Sequence, residues 1–210
     1  MKQEPTVFVV DDDAAMRDST SILLEEVSLP CAAYDSAGAF LADYHRDLPG
    51  CLLLDLHMPG MSGMALIEQL RAHEYLLPVI VISGTGTITT VVQGMKLGVV
   101  DFLEKPANPH VLIPKINAAM ALDLKRRTDA AGQAALRRRL SHLTLREGEL
   151  LELVVCGMTN KVIARKLEIS IKTVENHRAH IMEKTGARKV ADLVRLSHLA
   201  RVGTITRQAA

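Results

Sequence analysis

The chain has 210 residues, 48% of them hydrophobic and 23% charged, with a formal net charge of +1. That length allows one large or two ordinary domains, and no apolar run reaches the roughly 18 residues that would suggest a membrane span. Charge is unevenly spread: residues 1–122 carry 7 Lys/Arg against 15 Asp/Glu (net −8), residues 123–140 carry 6 against 2 (net +4), and residues 141–210 carry 12 against 7 (net +5). An acidic half suits a metal ion and a basic half suits a polyanion such as DNA, so two different partners are expected. The N-terminal Met1-Lys2-Gln3-Glu4-Pro5 shows no apolar core of a secretory signal. Cys31, Cys51 and Cys156 lack CxxC spacing, which predicts reduced thiols and a cytoplasmic protein.

In chain order, Thr6–Val10 is an apolar strand that ends at Asp11-Asp12-Asp13. A helix is expected from Ala14 to about Ser28, stopped by Pro30. Cys31–Tyr34 is a short strand, and Ser36 caps a helix over Ala37–Tyr44. After the Pro49-Gly50 turn, the strand Cys51–Leu54 runs straight into Asp55, followed by His57-Met58-Pro59-Gly60. A helix follows from about Met64 to Glu74. Val79–Ile82 is a strand ending at Ser83. Gly84-Thr85-Gly86 lacks the third glycine of a dinucleotide fingerprint and the Gly-Lys-Ser/Thr of a P-loop, so it is a flexible strand-to-helix loop. A helix over Thr89–Leu97 precedes the strand Val99–Leu103 and then Glu104-Lys105-Pro106. Asn108-Pro109 opens a helix that continues past Leu122. Five alternations of strand and helix predict a doubly wound parallel sheet with helices on both faces.

In such a sheet all the strand ends lie at one edge. Asp11, Asp12, Asp55, Ser83 and Lys105 would then share one crevice. Crowded carboxylates repel one another, and a hard, oxygen-seeking cation such as Mg2+ relieves this. Asp55 at the centre can act as a nucleophile toward phosphorus. The Ser83 hydroxyl and the Lys105 ammonium can balance charge on phosphoryl oxygens.

Residues 123–140 hold Lys125-Arg126-Arg127 and Arg137-Arg138-Arg139 around an Ala-rich stretch. Ala and Arg favour helix and Gly132 weakens it, which predicts a partly helical basic linker. From Ser141 onward, to about residue 205, only helices are expected. Thr144-Leu145-Arg146-Glu147 forms a capping box, and Gly157 ends that helix. Lys161–Leu167 is a short helix begun by Thr159-Asn160, Glu168-Ile169-Ser170 is a tight turn, and Ser170 caps a helix from Ile171 to Thr185, stopped by Gly186. A last helix covers about Lys189–Val202, with a frayed tail over Gly203–Ala210. Two short helices joined by three residues are a helix-turn-helix, whose second helix enters the major groove. On it Val174, His177 and Ile181 make an inner face. Lys172, Thr173, Glu175, Asn176 and Arg178 are left mostly outward. Asn176 suits base readout, Lys161, Lys172 and Arg178 suit phosphates, and Glu175 either reads cytosine or orients Arg178.

These motifs carry a resemblance. Asp11-Asp12, Asp55 before Met58-Pro59-Gly60, Ser83, and Lys105-Pro106 resemble a response-regulator receiver domain over about residues 1–122. Leu143–Val194 is similar to the LuxR-type DNA-binding domain, through Thr144–Glu147, Gly157–Lys161, Ile163-Ala164, Ile169-Ser170, Thr173-Val174 and His177. The pair resembles the NarL/FixJ family of response regulators. The resemblance implies strand order 2-1-3-4-5 and phosphorylation of Asp55 by a sensor histidine kinase. It implies Mg2+ on Asp11, Asp12, Asp55 and the His57 backbone carbonyl, with Phe102 as an aromatic switch residue and a cis Lys105–Pro106 peptide. It further implies a homodimer on activation and binding to double-stranded DNA, with no enzymatic activity beyond the receiver's own phosphoryl transfer and dephosphorylation. His57 stands where relatives often carry Asn or Arg, and Val99-Val100 where they often carry a small residue. Two rivals compete: an Asp-nucleophile phosphatase, whose Asp-x-Asp-Thr/Val signature is missing because Ala14 follows the acidic run, and a DNA-binding regulator whose receiver is a phosphorylation-independent dimerisation scaffold.

Overall fold

The computed structural model describes residues 4–75, 77–84 and 87–197. The chain divides into two compact units, Met1–Arg127 and Thr128–Ala210.

The first unit holds five parallel strands: β1 (Thr6–Val10), β2 (Cys31–Tyr34), β3 (Gly50–Leu54), β4 (Val79–Ser83) and β5 (Asp101–Glu104), in the order β2-β1-β3-β4-β5. Helices α1 (Ala14–Glu26), α2 (Ala37–Asp43), α3 (Gly63–Ala72), α4 (Ile88–Lys96) and the start of α5 (Pro109–Ser141) alternate with them. Helices on both faces explain why β3 and β4 are unbroken apolar runs rather than alternating ones. Every residue of both strands is buried. Successive side chains point to opposite faces, so Phe8, Val10, Leu52 and Leu54 pack with Phe40, Leu66, Ile67 and Leu70, while Val7, Val9, Cys51 and Leu53 pack with Leu24, Leu112 and Ile116.

Most expected elements differ from the observed ones by one or two residues at an end. Two differences have identifiable causes. β5 begins at Asp101, not Val99. Gly98 has φ +78°, and the Val99 amide bonds the Gly94 carbonyl at 3.0 Å, closing the end of α4. Val99 is spent on the core, being 4% exposed. The basic stretch 123–140 is not partly helical: α5 is one unbroken helix of 33 residues through Gly132 to Ser141. A single glycine costs only about 1 kcal/mol relative to alanine. The neighbouring Ala and Arg are good helix formers, and Leu136 is buried in the second unit.

The second unit contains α6 (Leu145–Val155), α7 (Asn160–Lys166), α8 (Ile171–Thr185) and helical turns over 190–197. The Thr144–Glu147 capping box is present in both directions. Gly157 (φ +77°) and Gly186 (φ +70°) end α6 and α8 in the left-handed region that glycine tolerates. Leu150, Val154, Ile163, Val174, Ile181 and Leu193 form its core. The Thr85-Gly86 part of the expected loop, the end of the expected last helix and the tail Gly203–Ala210 lie outside the described residues.

Candidate functional sites

The carboxyl ends of four strands meet as their register requires. Thr6 pairs with Gly50 and Val10 with Leu54, so the residues that follow, Asp11 and Asp55, emerge side by side. The Asp55 amide donates to the Val10 carbonyl at 2.9 Å, and the Lys105 amide to the Ser83 carbonyl at 3.1 Å. Lys105 Nζ lies 2.6 Å from Oδ2 of both Asp11 and Asp55. Asp11 and Asp55 are buried, and Asp12 is exposed at the mouth. One oxygen from each of Asp11, Asp12 and Asp55 lies within 4.8 Å of the others. The Lys105–Pro106 peptide is cis.

Three carboxylates therefore crowd together, and the one ammonium touches two of them. Burial pulls the Lys105 pKa down, but its hydrogen bonds to Asp11 and Asp55 outweigh this and leave it above its ordinary value. The remaining negative charge and the all-oxygen donor set fit a small hard cation better than Zn2+. Asp13, the third acid of the run, instead caps α1, its Oδ1 accepting from the Ala15 amide at 2.9 Å.

Ser83 is 4% exposed. Nδ1 of His57 lies 3.2 Å from its Oγ, and the His57 amide donates to Asp55 Oδ1 at 3.1 Å. His57 thus touches both the carboxylate and the hydroxyl. Phe102 is half-buried and packs against the core.

Sequence reasoning did not foresee two glycines that hold these parts in place. A Cβ on Gly63 would lie 2.2 Å from the Asp55 carbonyl oxygen, and one on Gly94 would lie 2.4 Å from Cζ of Phe102. Helix α3 thus approaches the strand end, and the Phe102 ring tucks under α4, only because neither position has a side chain. A glycine at a helix start and another inside a helix, where glycine is costly, were the available signals.

In the second unit, Ser170 caps α8, its Oγ accepting from the Thr173 amide at 3.0 Å. Val174 and Ile181 are buried and His177 is half-buried. Lys161, Lys172 and Asn176 are exposed. Thr173 and Arg178 are only half-exposed: the Thr173 hydroxyl lies 2.8 Å from Ser170 Oγ, and Arg178 Nη1 donates to Asn160 Oδ1 at 2.9 Å. Glu175 lies 3.7 Å from Lys172. The group that holds Arg178 is therefore Asn160.

An acidic sheet edge with one lysine, joined in one chain to a helix-turn-helix, defines a two-domain response regulator. Residues 7–117 match the response regulator receiver domain, and residues 141–197 match the bacterial regulatory proteins of the luxR family. The chain is 36% identical over 191 residues to the transcriptional regulatory protein FixJ of Bradyrhizobium diazoefficiens, covering 91% of this chain and 93% of that one. It is 38% identical over 203 residues to FixJ of Azorhizobium caulinodans, covering 96% of each. Among solved structures, the response regulator StyR aligns with a TM-score of 0.85 at 39% identity, covering 93% of this chain and 98% of that one. Full-length FixJ from B. japonicum aligns at 0.56 and 34% identity, covering 95% of this chain and 98% of that one. The chain belongs to the NarL/FixJ family of response regulators, and is a transcription factor of that type. No helix among the described residues is long and apolar enough to cross a membrane.

Proposed function

We propose that Asp55 accepts a phosphoryl group from a sensor histidine kinase in the cytoplasm, and that this controls dimerisation and sequence-specific binding to double-stranded DNA. The observation that carries the reading is the pair of 2.6 Å contacts from Lys105 to Asp11 and Asp55 beside the exposed Asp12. Asp11, Asp12, Asp55 and the His57 carbonyl would hold Mg2+, which, when bound, screens charge on the phosphoryl oxygens. An Asp55 oxygen attacks phosphorus, the bond to the kinase's imidazole nitrogen breaks, and an acyl phosphate forms. Lys105 then pairs with a phosphoryl oxygen and the Ser83 hydroxyl donates to another. Beyond this transfer and the hydrolysis of the acyl phosphate to free Asp55 and inorganic phosphate, no enzymatic activity is assigned.

Ser83 turning toward the phosphoryl group frees space, and Phe102 repacks. The surface from Thr89 to Leu103 changes shape, a two-state switch biased by local charge. That surface favours a homodimer, and two helix-turn-helix units then fit two half-sites. Lys161, Lys172 and Arg178 would take phosphates, while Thr173 and Asn176 lie nearest to base edges. Solution scattering with and without a phosphoryl mimic tests the switch, which fails if neither association nor shape responds.

One observation favours a second reading. Ile88, Val92 and Met95 of α4 already stand exposed, Ile88 by 85%, so the receiver could pair without phosphorylation and serve as a scaffold. Under that reading, Asp55→Asn leaves DNA affinity unchanged in the presence of phosphodonor.

A further inference from the structure

We infer that Asn160 is a positioning residue for DNA binding, holding Arg178 as a preset clamp for one backbone phosphate. The inference rests on the reading that the helical unit binds DNA. Asn160 is the first residue of α7 and Arg178 lies midway along α8, so their 2.9 Å hydrogen bond spans the two helices of the helix-turn-helix. Both side chains are half-buried. A free arginine must give up much rotamer freedom when it meets a phosphate. Arg178 has given up part of it already, because one of its five N–H donors is fixed on Asn160 Oδ1.

The chemistry of the holder matters. Glu175 sits one turn from Lys172 and offsets part of its charge at 3.7 Å. Asn160 is neutral, so it orients the Arg178 guanidinium without cancelling its charge. The other guanidinium donors remain for an anion, in the planar geometry that suits a phosphate. Lys161, next to Asn160, is exposed and adds a second positive charge nearby. Asn160 thereby separates two tasks: Lys172 is a surface charge partly paired with its neighbour, and Arg178 is an aimed, uncompensated one.

The test uses the full chain with acetyl phosphate and Mg2+, binding a random-sequence DNA duplex over a range of salt. Arg178→Ala is expected to lower the slope of log affinity against log salt by about 1. Asn160→Ala should weaken binding about threefold to tenfold through lost preordering, with the slope nearly kept. Asn160→Asp should keep the geometry but neutralise the clamp, lowering the slope by about as much as Arg178→Ala while the thermal midpoint of the helical unit stays unchanged or rises. The deciding readout is the affinity of Asn160→Ala at an unchanged thermal midpoint, since a merely structural role for Asn160 would lower the midpoint along with the affinity; the slope then shows whether Arg178 still meets its phosphate. Wild-type affinity and slope in both Asn160 variants, with Arg178→Ala still defective, would overturn the inference and leave DNA binding standing. Binding by the wild-type chain that does not depend on salt would overturn both.

Discussion

The two ends of the receiver sheet each bury an aspartate beside a base, and they differ in charge balance. At the carboxyl edge, one ammonium pairs with Asp11 and Asp55, and the Asp12 carboxylate lies close beside them without a base of its own among the described residues. At the amino edge, Asp123 is 1% exposed, and its Oδ2 accepts from the Gly50 amide at 2.9 Å and from Arg127 Nε at 2.7 Å. Arg127 spends its other nitrogens on the carbonyls of Arg46 (2.9 Å) and Leu48 (2.6 Å). One carboxylate meets one guanidinium there, and both bonds to the acid fall on Oδ2, leaving Oδ1 buried without a hydrogen-bond partner, while the Arg46 and Leu48 carbonyls take the remaining guanidinium nitrogens; the set clamps α5 to the start of β3. The balanced end is a structural fastener. The unbalanced end carries surplus negative charge at an open mouth, which is what a cation and a phosphoryl group would complete. Burial and pairing alone do not distinguish a site from a fastener, whereas the charge ratio does.

That contrast can be broken in order of effect. Chelating divalent cations should abolish phosphoryl uptake from acetyl phosphate and leave the thermal midpoint in plain buffer almost unmoved, as intact-mass measurement and calorimetry would show. Asp123→Ala should do the reverse. It strands Arg127, which keeps 23% side-chain exposure, so the loss should be about 2–3 kcal/mol, near the low end for breaking a buried pair. Urea unfolding would measure it, and phosphoryl uptake below the transition should persist. A large loss of uptake with little loss of stability would erase the distinction.

Gly94→Ala comes next, at about 1–3 kcal/mol, because its methyl group would collide with Phe102 or force the ring to turn. Urea unfolding gives the stability, and the Phe102 ring resonances report whether the ring has left its place under α4. An unchanged ring and unchanged stability would contradict the packing argument.

The smallest effect sharpens the comparison with a paired acid in the other unit. The hydrogen bond from Lys184, with those from Thr144, holds the Glu147 pKa down from 4.5 to about 2. Because the folded value is the lower one, the pairing stabilises fully above about pH 4.5 and is lost as pH falls toward 2. Lys184→Met should flatten that part of the acid-stability curve, read by circular dichroism. A curve as steep as the wild type's would reject the assignment.

Much of this was legible in the chain. Apolar runs that end at Asp11, Asp55 and Ser83, with a weaker run broken by Asp101 ahead of Glu104-Lys105, left a parallel sheet as the natural arrangement, and its edge gathers those side chains without further information. The bounds of α8 followed from Ser170 and Gly186, whose capping roles are local. What escaped notice was non-local or marginal. Asn160 and Arg178 stand 18 residues apart and share no periodicity. Asp123 looked like one charge in a basic linker until Gly50, 73 residues away, supplied its partner. The length of α5 turned on whether one glycine outweighs its helix-favouring neighbours, a balance of about 1 kcal/mol.

The most direct measurement treats the purified chain with acetyl phosphate and Mg2+, reduces it with borohydride, and maps the modified residue by tandem mass spectrometry. The account predicts one modified residue, homoserine at position 55, that disappears in Asp55→Asn and when the cation is chelated. A phosphoryl group on another residue, or equal uptake by Asp55→Asn, would contradict it.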